Sequence, residues 1–151
     1  MANSQAMCTS FKKEVLTATH NFGTAPTRGT SAADTFKAAL YLASSTVNAA
    51  TTAYSPTGEV SGTNYTAGGN TITSWNAPTS TGTTAFTTPT ATITWNNVTL
   101  TTAFDAVLIY NSTQTNKAVS VHTFGNQTIT AGTFSLTMPA NDASNALLRF
   151  A

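Results

Sequence analysis

Apolar residues near the start of the chain recur every three or four positions. Met7, Phe11, Val15, Ala18 and Phe22 follow this spacing, which is typical of one face of an α-helix. We therefore predict a helix over residues 3–22, which Ala25-Pro26-Thr27 prevents from continuing. The apolar face of this helix requires a surface to pack on.

The pattern changes after residue 33. Residues 34–43 (DTFKAALYLA) are rich in Ala and Leu, which favour a helix, but apolar residues alternate from Phe36 to Leu42, and we favour a strand. The polar segment 44–70 carries turn signals at residues 55–58 and 67–70. We predict a long loop there, ordered because a segment of this length usually has a role such as wrapping a neighbour.

Short alternating runs separated by turn residues dominate the rest of the chain. Candidate strands are residues 71–75, 91–95, 104–110, 118–124, 128–130, 133–138 and 146–150, with Gly125-Asn126 ending the fourth of these. This spacing favours an all-β fold, a jelly-roll-like β-sandwich with a short N-terminal helix and a long ordered loop. We predict an N-terminal helix or arm over residues 1–28 and one β-sandwich domain over residues 29–151, which includes the loop 44–70.

The amino-acid composition argues against several classes of binding partner. The chain of 151 residues contains 34 Thr, 24 Ala, 13 Ser and 13 Asn but only 11 charged residues, and its net charge is +1. Neither a basic stripe for nucleic acid nor a basic amphipathic face for a membrane surface is present. A single Cys8 cannot form an intramolecular disulfide, and the opening residues lack the pattern of a signal peptide. We expect synthesis in a cytoplasm without export.

Residues capable of catalysis are few and scattered. His20 and His122 have no further ligand at metal-binding spacing, and no G-x-S-x-G motif selects a nucleophilic Ser. Glu59 and Asp105 could be paired for glycoside cleavage, but solvated or loop-stabilising roles fit them better. We therefore predict no catalytic residue, no metal and no cofactor, and a protein that is not an enzyme.

Several runs resemble a known family. These are SQAMCTSFKKEV at 4–15, DTFKAALYLAS at 34–44, TTAYSPTGEVSGTNYTAGG at 51–69, FDAVLIYNSTQTNKAVSVHTFG at 104–125 and LLRFA at 147–151. They are similar to small virion structural proteins of tailed bacteriophages, including the capsid decoration or cement proteins of short-tailed cyanophages. The resemblance implies a jelly-roll-like sandwich assembled as trimers on the outer surface of the capsid. It supplies no catalytic residues.

The resemblance and the composition together give a functional hypothesis. We expect a capsid decoration protein that stabilises an icosahedral head by clamping neighbouring major capsid proteins and that forms a homo-oligomer, with a trimer favoured. The candidate interface residues lie in the N-terminal stripe, the loop and two strand ends: Met7, Phe11, Val15, Phe22, Tyr54, Tyr65, Trp75 and Trp95. Two alternatives are a tail, neck or head-fibre component and a carbohydrate-binding host-adhesion module that uses Trp75 and Trp95.

Overall fold

The chain folds as an all-β sandwich of two antiparallel sheets. The computed structural model describes residues 2–16, 18–22 and 33–151. In chain order these residues form β1 (Ala6–Met7), α1 (Thr9–Leu16), β2 (Phe36–Leu42), β3 (Asn70–Ile72), β4 (Thr79–Thr81), β5 (Thr84–Thr87), β6 (Ile93–Asn111), β7 (Lys117–Leu136) and β8 (Leu148–Phe150). One sheet has the order β1-β7-β6-β2-β3 and the other β4-β5-β8. The predicted all-β sandwich is confirmed, while jelly-roll connectivity stays a prediction.

The helix ends much earlier than the apolar spacing predicts. Ala18 adopts a left-handed conformation, with φ at 52°. The amides of Ala18 and Thr19 donate to the carbonyls of Val15 and Glu14 at 3.1 and 3.0 Å. These two bonds form a Schellman motif, which closes the C-terminus of a helix. The prediction of a helix over residues 3–22 is therefore wrong at this end.

The helix also begins later than predicted. Met7 lies in β1, where it pairs with Ser120 of β7, so residues 6 and 7 extend the sheet. Cys8 and Phe11 follow and are completely buried in the main core. The predicted stop at Ala25-Pro26-Thr27 and the predicted boundary between residues 28 and 29 lie outside the described residues.

The segment 34–43, for which both a helix and a strand were considered, contains the strand β2. This agrees with the prediction made from its alternating apolar residues. β2 pairs with β3 on one side and β6 on the other, so its backbone is hydrogen-bonded along both edges. Ala39 and Tyr41 are buried as fully as Ala38 and Leu40. Both faces of this strand are thus covered, which explains why its pattern is only weakly alternating.

Two very long strands replace the series of short ones that the sequence predicts. β6 and β7 pair in one hairpin whose register shifts repeatedly. Asn97, Gly125 and Ala131 have positive φ angles of 50°, 77° and 47° and lie at such shifts, which is typical of β-bulges that bend a strand. The prediction that Gly125-Asn126 ends a strand is wrong, because these residues form a bulge within β7.

The second sheet completes the core. Leu148 of β8 is buried in the same cluster as the strands of the larger sheet. The loop 44–70 contacts the larger sheet through isolated β-bridges, among them Tyr41 with Glu59 and Thr63 with Thr99. At Gly69, with φ at 69°, an added Cβ would collide with the Ala38 carbonyl oxygen. No helix within the described residues is long and apolar enough to cross a membrane.

Candidate interaction surface

The eight residues predicted to form an interface lie at different depths. Phe11 and Trp95 are only 0% and 2% exposed, whereas Val15 is 38% exposed. The others are half-buried: Met7, Phe22, Tyr54, Tyr65 and Trp75. A side chain without accessible surface cannot contact a partner, so Phe11 and Trp95 are core residues in this fold, in contrast to the expected interface role.

Three of the eight residues meet in one aromatic cluster. The ring of Phe22 stacks on Phe36 of β2 with centroids 4.3 Å apart, and Trp75 packs edge-on against Phe22 at 4.8 Å. Phe11 reaches Phe22 at 6.0 Å and His20 at 4.8 Å. Such edge-to-face and stacked pairs stabilise beyond the area they bury. Phe11 and Phe22 of the apolar stripe therefore pack against residues of the same chain.

Two large hydrophobic side chains, each near the buried Phe11, remain partly exposed beside this cluster. Val15 and Phe150, at 38% and 37%, are the exposed large hydrophobic residues among those described. Val15 lies one helical turn beyond Phe11, and the ring of Phe150 is 6.0 Å from that of Phe11. Lys12 of the same helix is also exposed. We call Val15 and Phe150 the exposed patch.

The second tryptophan belongs to a separate cluster on the long hairpin. Trp95 of β6 packs against Phe134 of β7 at 5.8 Å, and Phe134 contacts Phe104 at 5.1 Å and Phe124 at 5.1 Å. Stacking on a sugar requires an exposed ring face, which Trp95 lacks. Trp75 and Trp95 therefore do not form the sugar-binding pair that the sequence suggested.

Tyr54 and Tyr65 converge on one carboxylate. The hydroxyl of Tyr54 donates to Oε2 of Glu59 at 2.6 Å, and that of Tyr65 donates to Oε1 at 2.8 Å. The amide of Gly68 donates to the same Oε1 at 2.8 Å, and Tyr110 donates to the Gly68 carbonyl at 2.7 Å. The bonds to Glu59 join parts of the loop 44–70 to each other, and the bond from Tyr110 of β6 attaches the loop to the sheet.

The tyrosines around Glu59 are held in their neutral form. Burial, with the nearby charge of Glu59, raises the pKa of both Tyr54 and Tyr65 above the usual range. The same two causes raise the pKa of Tyr110 to about 12. A protonated hydroxyl is a donor that an ionised carboxylate can accept. The cluster is therefore built to hold the loop in place, with no proton to exchange near neutral pH.

A second polar network lies at the turn between β6 and β7. Nζ of Lys117 donates to Glu14 at 2.6 Å, and Nε2 of His20 lies 2.8 Å from the other oxygen of Glu14. The buried Asn111 donates to Nδ1 of His20 at 3.0 Å and to Asp34 at 2.7 Å. Burial opposes ionisation of Glu14, but the bonds from Lys117 and His20 outweigh it and hold the pKa of Glu14 below its usual value.

The remaining reactive groups are poorly suited to chemistry at neutral pH. Burial, and to a lesser extent the charge of Glu14, raises the pKa of the Cys8 thiol to about 11, so its nucleophilic thiolate is scarce. Burial lowers the pKa of His122, whose Nε2 lies 2.9 Å from Ser120 Oγ, to about 4. The described residues contain no group of three or more His, Cys, Asp or Glu arranged to hold a metal ion.

Comparison with known proteins adds no relative. A scan against protein-family models and searches of curated proteins and of solved structures found no match.

The Glu59 cluster is the feature that the sequence analysis missed. From the sequence, Glu59 was considered only as a possible partner of Asp105 in glycoside cleavage. In the structure the two carboxylates bind different residues, and Asp105 accepts a hydrogen bond from Asn3. The two tyrosines that donate to Glu59 lie on the same loop, and Tyr110 of β6 joins the cluster through the Gly68 carbonyl. Only the concentration of Tyr54, Glu59 and Tyr65 within the loop could have signalled it.

Proposed function

We propose that this chain is a capsid decoration or cement protein. It would bind the outer surface of an icosahedral head as a homo-oligomer and stabilise the shell by clamping neighbouring major capsid proteins, without catalysing a reaction. The sequence resemblance to virion proteins motivates this role. The structure supports it through the way in which the chain uses its few charged groups.

One observation carries the proposal: every Asp and Glu side chain accepts a hydrogen bond from the chain itself. The five residues are Glu14, Asp34, Glu59, Asp105 and Asp142. These bonds give each of the five side chains a structural role within the fold. Carboxylates that accept hydrogen bonds from their own chain stabilise its fold. This suits a structural protein that binds and stabilises a shell.

The exposed patch is the surface that we propose meets the shell. Val15 and Phe150 present apolar area beside the exposed Lys12. An apolar centre with a polar rim is the usual anatomy of a protein interface. Because Cys8 and Phe11 belong to the core, deleting the whole N-terminal segment would damage the fold, and point substitutions in the patch are the cleaner test.

The test measures binding of the purified chain to heads that lack it. We expect the natural chain to saturate the heads and raise the temperature at which they release their genome. Val15→Asp and Phe150→Asp should weaken binding by about tenfold or more, because each places a charge in an apolar contact. Thr57→Asp, at an exposed turn of the loop, adds the same charge elsewhere and should bind normally.

Two results would overturn the proposal. One is the absence of any binding by the natural chain to heads, and the other is binding to purified tails or necks instead. If the natural chain binds but both patch variants bind equally well while retaining the natural unfolding temperature, a different surface meets the shell.

A further inference from the structure

Within the described part of the chain, no strand pairs with the outer edge of β7 along more than half of its length. On its inner side β7 pairs with β6 as far as Leu136, but on its outer side β1 covers only Ser120 and Val121. No backbone hydrogen bond from another described residue reaches the outer edge beyond them. A free edge of this kind is a template for another strand.

The section Gly132–Leu136, which we call the free edge, is the part most suited to pairing. It follows the bulge at Ala131. Its last three residues pair in regular register with β6, from Phe134 with Trp95 to Leu136 with Ile93, and the register shift between Phe134 and Gly132 places its extra residue in β6 and not in β7. A five-residue strand extends roughly 16 Å, which is close to the usual strand length in proteins. Pro139 lies three residues beyond it.

The free edge lacks two features that commonly protect a sheet edge, whereas a third, a bulge, directly precedes it at Ala131. Natural edges are commonly guarded by charged side chains or by proline within the strand. Neither occurs within the free edge, and residues 118–141 contain no Asp, Glu, Lys or Arg. Thr133 and Ser135 are exposed, whereas Phe134 and Leu136 are half-buried toward the hairpin cluster. The edge is therefore regular, neutral and accessible.

We propose that the free edge pairs with the free edge of a second copy of this chain. Two identical strands form an antiparallel ladder about a two-fold axis, so a single surface serves both partners. Because the edge is neutral, two copies approach without like-charge repulsion, and neither buries an unpaired charge. Ladder bonds then occupy backbone groups that the isolated chain leaves to water. The inference does not depend on the capsid role and is tested without capsids.

The experiment measures the mass of the full natural chain in solution across a range of concentrations. We expect the mass to rise from that of one chain, 15.6 kDa, to that of two. Hydrogen exchange at residues 132–136 should slow as the dimer forms, while the turn at residues 55–58 should exchange at an unchanged rate. A chain that stays monomeric, or one that forms trimers as the resemblance implies, would overturn the two-fold pairing.

Charged substitutions at residue 135 test whether the free edge forms the dimer interface. Ser135→Lys should raise the dimer dissociation constant by about tenfold at low salt, because the two new charges approach each other across the axis. Thr57→Lys, which adds the same charge at the loop turn, should dimerise normally. Mixing Ser135→Lys with Ser135→Glu should restore association as a mixed dimer. An unchanged dissociation constant for Ser135→Lys, in a chain that unfolds normally, would remove the free edge as the interface.

Discussion

A carboxylate that accepts bonds from three donors organises the long loop. Glu59 receives the hydroxyls of Tyr54 and Tyr65 and the amide of Gly68. Hydrogen bonds to a charged acceptor are stronger than neutral ones, and here they replace the regular ladder that a loop lacks. An ordered loop was predicted for residues 44–70 from its length and turn signals, and the structure gives the physical reason for its order.

Substitution of Glu59 should therefore destabilise the fold. Glu59→Gln keeps the shape of the side chain but removes its charge and exchanges one acceptor oxygen for a donor group. We expect a loss of about 2 kcal/mol in the free energy of unfolding, measured by urea denaturation. Lys12→Gln, at an exposed helical position, should change it by less than about 0.5 kcal/mol. Equal stability of the two variants would contradict the role given to Glu59.

The length of the strands was the least predictable property of the elements. Sequence alternation located the strand at residues 36–42 and most of the apolar runs of β6 and β7, because buried faces impose a period of two. It failed at Gly125-Asn126, since a bulge and a turn use the same residue types. It failed again at residues 3–22, where an extended strand and a short helix together imitate a longer helical stripe.

The burial of His122 gives β7 a dependence on pH. Its pKa is lowered to about 4 in the fold, against about 6.5 in an unfolded chain. The stabilising contribution is complete above about pH 6.5 and is lost as the pH falls toward 4, because the unfolded chain binds a proton that the folded chain excludes. The loss should approach about 3 kcal/mol.

Urea denaturation between pH 7 and pH 4 measures this effect. His122→Gln should flatten the curve in that range, while the carboxylates continue to act at lower pH. Nuclear magnetic resonance provides a direct check on the same residue. If the His122 imidazole titrates near pH 6.5 in the folded chain, the burial argument fails.

Charged groups are distributed unevenly over the whole molecule. Residues 60–104 contain no Asp, Glu, Lys or Arg, and this stretch includes β3, β4, β5 and most of β6. Glu14, Asp34 and Lys117 instead take part in the network at the hairpin turn. The charge-free stretch was visible in the sequence, but the meeting of Glu14, Asp34 and Lys117 at one turn depends on how the strands pair and could only be seen in the fold.

The fold was easier to predict than the burial of individual aromatic residues. Thr that alternates with apolar residues favours a strand with one solvent-facing side, independently of the function of the protein. The all-β class therefore follows from the local sequence pattern. Burial of Phe11 and Trp95 depends on distant partners such as Phe22 and Phe134. An apolar stripe in a sequence gives no indication of whether its partner lies in the same chain or in another one.

The most direct test of the proposed capsid role is an image of the virion at a resolution that shows individual subunits. The account predicts this β-sandwich in hundreds of copies on the outer surface of the head, with Val15 and Phe150 facing the major capsid protein. A few dozen copies at the neck or tail, or absence of the chain from the particle, would contradict it.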